Sequence, residues 1–259
     1  MNQRQLDKLT WMEIRDLDKT NGALVVPLGS LEQHGPHLSI DCDLHFADTF
    51  LDRALAELDD DVACWRLPIL PISRSVEHVD FPGSFWLSSE TLLKVIHDIT
   101  EGIAASGFRR VVLLTCHGGN LALLEVAARD VRIKTGLMAF TIFPPALQED
   151  PVETSELERN MGIHANDWET SVMMEISPER VRPERVNVSY PQFESETLRL
   201  EGSAANVAWT SRDLVTSGTF GDATQANAQR GQQRLDPLVK NLAAALTEIS
   251  SFEMPIPAP

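Results

Sequence analysis

The chain has little cysteine and no pattern by which to pair it. Only Cys42, Cys64 and Cys116 occur in 259 residues. They are odd in number, widely spaced and without a CxxC, which argues against a disulfide framework and for reduced thiols. Long apolar runs are missing too: no stretch could span a bilayer, and Met1 to Lys19, polar and mixed in charge, lacks the apolar core of a signal peptide. Positive charge is scarce, with 22 Lys and Arg against 38 Asp and Glu for a net charge of −16. No Lys/Arg run relieves that balance, so binding to nucleic acid or to an anionic membrane surface is not expected. Low-complexity tracts and internal repeats are absent and glycine and proline are near average, so the chain reads as globular, with a cytoplasmic location as the default.

What is present is an alternation of strands and helices. Leu9–Leu17 has helical spacing with a start signal at Thr10, and Asn21-Gly22 breaks it before a short buried strand, Ala23–Val26. A helix is predicted from about Asp43 to Leu58, then a strand over Val62–Leu70. Ser88 or Ser89 caps a helix whose apolar stripe, Leu92 to Ile103, stops at Ser106-Gly107. Val111–Cys116 reads as a third strand, a helix runs on to about Lys134, and Leu137–Phe143 is a fourth strand after Gly136. This order predicts a single α/β domain over 1–259 with a mostly parallel sheet sandwiched between helices. Beyond it, Pro144–Asn166 is long, acidic and rich in proline: an active-site lid, an oligomer contact or a solvated insertion. Trp168–Ile176 reads as a short helix, Val181–Tyr190 as strand or irregular, and Ser217–Asp222 as a turn. An amphipathic helix closes the chain through about Ser250, and the tail Pro255–Pro259 is expected to fray.

Polar clusters follow the successive strands, which places them on one edge of the sheet, where open α/β sheets hold ligands. After the first strand come Glu32, His34, His37 and Asp43. Glu32 and His34 project to one side of an extended segment and Asp43 can return at the helix start, a donor set that suits zinc, manganese or iron. The same residues could instead be a polar loop in which Asp41 or Asp43 merely caps a helix. After the second strand lie Arg74, Glu77 and His78; Arg74 could grip a carboxylate or phosphate, or lie on the surface. After the third, His117-Gly118-Gly119-Asn120 puts an imidazole beside two glycines that leave room for a ligand. A further cluster, His164 to Ser171, contains Glu169 at a helix N-terminus, where the dipole alone would favour a carboxylate. Trp86 and Trp168 could wall a pocket or fill core.

Taken together, Glu32-Gln33-His34-Gly35-Pro36-His37-Leu38 with Asp43, Glu77-His78 with Phe81-Pro82-Gly83, Cys116-His117-Gly118-Gly119-Asn120, and His164 with Glu169-Thr170-Ser171 resemble the successive signatures of the creatininase family. Order and spacing agree from about Leu24 to Val181. The resemblance implies a three-layer α/β fold, a divalent metal centre of two ions per subunit, and hydrolysis of a C–N bond. By position it implies that Glu32, His34, Asp43 and His117 are metal ligands, with Asp43 bridging, and that His164 and Glu169 are active-site groups, Glu169 also serving the second ion. It further implies a homo-oligomer, hexamers being common in the family. Two departures stand out. Creatininase has a metal-ligating glutamate two residues after the histidine matched by His117, where this chain has Gly119. It also closes a tryptophan over its substrate where this chain has Asn160, which makes creatinine a poor substrate candidate.

The expected activity is therefore metal-dependent hydrolysis of a small amide, cyclic amide or formamide. A hydroxide on one ion, or bridging two, attacks the amide carbon, and Glu169 or His164 passes a proton to the departing nitrogen. Arg74, His78, Asn120 and Trp168 are the candidate substrate contacts. The alternatives are a peptidase trimming a modified precursor peptide on the same fold and metals, and a catalytically silent ligand-binding homologue.

Overall fold

The computed structural model describes residues 3–255. The predicted fraying of Pro255–Pro259 therefore falls almost wholly outside the described residues. In chain order the helices and strands begin with α1 (Trp11–Asp16), β1 (Gly22–Leu28), α2 (Cys42–Glu57) and β2 (Ala63–Arg66). Next come α3 (Ser89–Ala105), β3 (Arg110–Thr115), α4 (Leu121–Thr135) and β4 (Met138–Ile142). The remainder are α5 (Glu156–Met161), α6 (Asp167–Ile176), β5 (Val188–Ser189), α7 (Ser211–Leu214), β6 (Gly221–Asp222) and α8 (Ala228–Ser251).

The main sheet is parallel throughout, in the order β2-β1-β3-β4. Its central strands are buried on both faces and alternate between two cores with period two. Ala23, Val25, Val112 and Leu114 pack with Phe46, Phe50, Leu235 and Leu238 under α2 and α8. Leu24, Val26, Leu28, Val111 and Leu113 pack with Leu92, Ile96 and Leu124 under α3 and α4. The expected three layers follow from that alternation. Cys42, Cys64 and Cys116 are all buried free thiols. No helix of the described residues is long and apolar enough to cross a membrane.

Several boundaries differ from the sequence expectation for identifiable reasons. β2 is shorter than Val62–Leu70 because Pro68 and Pro71 lack the N–H that a ladder needs; only an isolated Leu28–Leu70 bridge continues it. β1 runs past Val26 because Pro27, close to its end, still offers a carbonyl, which accepts from Leu70 N–H at 2.9 Å. Val181–Tyr190 is mostly irregular, with β5 pairing antiparallel to β6. Pro144–Asn166 is an ordered segment: it contains a 3₁₀ turn, Pro144–Leu147, and α5. The buried Glu158 carboxylate anchors α5, accepting from Tyr190 Oη at 2.7 Å and from the backbone N–H of Asp222 at 2.9 Å.

The strand order positions the site. From β1 the chain steps outward to β2, then returns across β1 to β3 and continues to β4 on the other side. The connections leaving the carboxyl ends of β1 and β3 therefore diverge and leave a crevice between them.

Candidate metal centre

The connection from β1 carries Glu32, His34 and His37 and ends in α2, whose first turn holds Asp43. This tight entry requires Gly29, since a Cβ there would lie 2.7 Å from Leu44 Cα. Asp41 occupies the cap position but makes no capping bond; its carboxylate accepts instead from Ser39 Oγ and from Arg180 Nε, the latter at 3.1 Å. Asp43 is left free to face inward. From β3, His117 enters the crevice, while α6, capped by Asn166, brings Glu169 in its first turn.

These groups converge and are buried. Glu32 Oε1 lies 3.2 Å from His117 Nδ1, and His117 Nδ1 lies 3.3 Å from Asp43 Oδ2. His34 Nε2 lies 3.6 Å from Asp43 Oδ1 and 4.0 Å from Glu169 Oε1. Two donor groups result, Glu32–Asp43–His117 and His34–Asp43–Glu169, each with one ligand atom per residue lying within 4.8 Å of the others. Asp43 belongs to both, one oxygen turned toward each. A third overlapping group joins Glu32 and His34 to His164.

Backbone carbonyls orient the rings. A carbonyl can only accept, so the ring nitrogen it meets carries the proton and the other keeps its lone pair. His34 Nδ1 donates to Glu32 O at 3.2 Å, His117 Nε2 to Arg74 O at 2.8 Å, and His164 Nε2 to Gln33 O at 2.6 Å. In each case the free nitrogen, Nε2 of His34 and Nδ1 of the other two, faces the crevice. His78 is set the opposite way. Gln33 Oε1 accepts from Gly35 N–H, so Gln33 Nε2 donates to His78 Nδ1 at 2.9 Å and the proton-bearing Nε2 of His78 lies 3.2 Å from Glu32 Oε1.

The donors present fit a divalent cation. His34 Nε2 and Asp43 Oδ2 are buried without a hydrogen-bond partner among the described residues, a costly state that a cation would relieve. Burial opposes charge on Glu32, yet His117 and His78 outweigh it and hold the carboxyl well below the usual range. Burial also opposes charge on His34 and His117, and neighbouring acidic groups overcome it: Cys42 and Asp43 raise His34, and Glu32 and Asp43 raise His117. Protons thus compete for the same nitrogens that a cation would use. His164 is held well below the usual range by burial and by His34 and His78, so it stays neutral. Burial pushes Glu169 up to about 7.

His37 is fully buried, with Nε2 hydrogen-bonded to Thr170 Oγ1 at 2.9 Å and Nδ1 without a partner among the described residues. Burial and then the nearby His34 lower it from 6.5 to about 4. Between those two values the unfolded chain takes up a proton that the folded one refuses, so stability is lost as pH falls through that window. We expect the metal-free protein to lose on the order of 2–3 kcal/mol through His37 alone over that window. Urea melts of wild type and His37→Gln should diverge progressively below pH 6.5; parallel curves would refute the assignment.

The other sequence candidates lie around the centre with different surroundings. Arg74 donates from Nε to Ser89 Oγ at 3.0 Å and has Nη1 3.7 Å from Glu77 Oε2. The buried Asn120 spends its amide on scaffold, donating to Ser73 Oγ at 2.9 Å and Thr115 Oγ1 at 3.0 Å and accepting from Arg74 N–H at 3.2 Å. Trp168 packs edge-on against Phe46 and Phe50, centroids 5.9 and 6.3 Å away, and lines a cleft of about 640 Å³. That cleft also includes Cys116, Phe143, Arg159 and Glu169, so it borders the centre on the side of the Pro144–Asn166 segment. Sequence reading gave no role to Glu77, whose Oε1 lies 3.1 Å from His117 Nε2, or to Ala165. Ala165 adopts φ +49°, a strained conformation for a residue with a Cβ, and its N–H donates to Glu169 Oε2. Only the adjacency of Glu77 and His78 hinted at the former, and nothing at the latter.

A parallel α/β sheet with partnerless carboxylate and imidazole donors at its switch point has the donor set of a divalent-metal-binding protein. The profile of the creatininase family, described as creatinine amidohydrolase, matches residues 7–246. A mycofactocin precursor peptide peptidase of Mycobacterium tuberculosis is 30% identical over 84% of this chain and 81% of its own length. The creatinine amidohydrolase of Pseudomonas putida is 25% identical over 93% and 95%, respectively. The crystal structure of a candidate creatinine amidohydrolase from Bacteroides fragilis superposes with a TM-score of 0.83 over 99% of this chain and 100% of that one, at 21% identity. The chain belongs to the creatininase family and is an amidohydrolase acting on carbon–nitrogen bonds.

Proposed function

We propose that this amidohydrolase holds two divalent ions per subunit, one on Glu32, Asp43 and His117 and one on His34, Asp43 and Glu169, and cleaves an amide at the mouth of the cleft beside Glu169. The observation that carries this reading is the shared Asp43, whose two oxygens face two separate donor groups. Zinc, manganese and iron all suit carboxylate and imidazole donors. Ions so held supply Lewis acidity, acidifying a water and polarising the amide carbonyl.

The chain's own groups divide the remaining work. Glu169 Oε2 is taken by Ala165 N–H, which leaves Oε1 for an ion. His164, whose lone pair at Nδ1 faces inward and is not taken by the backbone, is placed to accept the proton that the attacking water gives up and to return it to the departing nitrogen, which could hardly leave as an amide anion. His78 presents Nε2–H toward Glu32 and supports its charge. Asn120 acts through the Arg74 and His117 loops that it ties together, and Trp168 borders the cleft, whereas Arg74, bonded to Ser89, is not among the residues that line it. A homo-oligomer in the cytoplasm completes the reading.

A peptide substrate is the second reading. The cleft of about 640 Å³ is large enough for the end of a peptide chain, and peptidases stand among the relatives. The test is turnover by metal-loaded enzyme of cyclic amides, formamides and short peptides, analysed by mass spectrometry. Cleavage of peptides alone selects the second reading. No cleavage of any amide, with metal bound, would defeat both.

A further inference from the structure

Glu77 comes from the loop after β2, a different part of the chain from every proposed ligand, and its side chain is only 15% exposed. Its Oε1 lies 3.1 Å from Nε2 of His117, the nitrogen turned away from Glu32 and Asp43. That nitrogen already meets Arg74 O at 2.8 Å, so its proton is shared between a carbonyl and a carboxylate. The space Glu77 fills exists because residue 119 has no side chain: a Cβ on Gly119 would lie 1.8 Å from Glu77 Oε1. The other oxygen, Oε2, is buried without a hydrogen-bond partner among the described residues, with Arg74 Nη1 3.7 Å away.

We infer that Glu77 is a positioning residue for the metal centre: its carboxylate holds the His117 ring with Nδ1 toward Glu32 and Asp43 and strengthens that nitrogen as a ligand. The inference rests on the metal reading above. A carboxylate on the far N–H of a ligating imidazole fixes the ring's tautomer and raises its basicity, and loss of such a partner lowers metal affinity or activity by about 10–100-fold. A second effect acts through charge. Beside Glu32, Asp43 and Glu169, Glu77 adds a further negative group on a ring that would otherwise spread a dication's charge toward uncharged backbone.

The test uses the full chain stripped of metal and titrated with Co(II) against a chelator of known affinity, with the visible spectrum of the Co(II) form as a second readout. Glu77→Gln keeps the volume over Gly119 and removes the charge; it should weaken Co(II) binding about 10-fold and shift the visible bands. Glu77→Ala should weaken it further, toward about 100-fold. Should the alanine variant fail to fold, the glutamine variant carries the test alone. Co(II) affinity and spectrum of Glu77→Gln equal to wild type would mean that Glu77 only fills space, and would overturn the inference. His117→Ala is the control: if it too binds Co(II) as tightly as wild type, the metal reading itself fails, whereas its loss beside an unaffected Glu77→Gln removes only the role of Glu77.

Discussion

Asp43→Ala, compared with wild type purified without chelators, should lose metal at both positions and activity to the limit of detection while remaining folded. The reason is geometric. Asp43 Oδ2 lies 3.3 Å from His117 Nδ1 and Oδ1 lies 3.6 Å from His34 Nε2, so one substitution removes a donor from each group. His117→Ala removes a donor from one group only, and the ion on His34, Asp43 and Glu169 should be retained more strongly. Folding should survive Asp43→Ala, because Asp43 is among the groups that make Glu169 harder to ionise in the metal-free centre. His117→Ala removes instead a group that holds the buried Glu32 carboxylate ionised, and the melting temperature of the metal-free protein should fall while the fold persists. Elemental analysis with far-ultraviolet circular dichroism decides the matter, and full metal content in either variant would contradict the ligand assignment.

Arg234→Ala should destabilise the fold by about 1.5–3 kcal/mol, because it removes charged hydrogen bonds from Asp150 and from the buried Asp167, which is left with Arg230 as its arginine partner. Arg234 on α8 is fully buried. It donates from Nη2 to Asp167 Oδ2 at 2.7 Å and to Asp150 Oδ2 at 2.9 Å, and from Nη1 to Asp167 O at 3.2 Å. Burial pushes the Asp167 carboxyl up, but Arg230 and Arg234 outweigh it and hold it below the usual range, so this contribution is present at neutral pH and lost on acidification. Asp150 belongs to the segment that walls the cleft, and Asp167 opens the helix turn that carries Glu169. Activity should therefore fall along with stability. Urea denaturation measures the first, and a loss under 1 kcal/mol would show that the pair contributes little.

Much of this architecture could be read before any coordinates, because it depends on periodicity. Doubly buried strands, polar clusters at their ends and caps such as Thr10 and Ser88 are local signals, and they put Glu32, His34, Asp43, His117 and Glu169 on one sheet edge. Prolines 68 and 71, which cut β2 short, stand in plain view in the sequence. What could not be read depends on approach through space. Nothing in the spacing of residues 77 and 119 says that one fills the other's missing side chain. Nor does it say that His37 loses all solvent, or that Ala165 adopts a left-handed conformation to present its N–H to Glu169. The Trp168 ring was undecided between pocket wall and core; it both lines the cleft and packs on Phe46 and Phe50.

The oxygens that steer His34, His117 and His164 belong to the main chain of residues 32, 74 and 33. A point mutation can exchange a side chain but not delete a peptide carbonyl. The aim of these imidazoles in the candidate metal centre therefore depends on the course of the loops and not on the side chains that the loops carry.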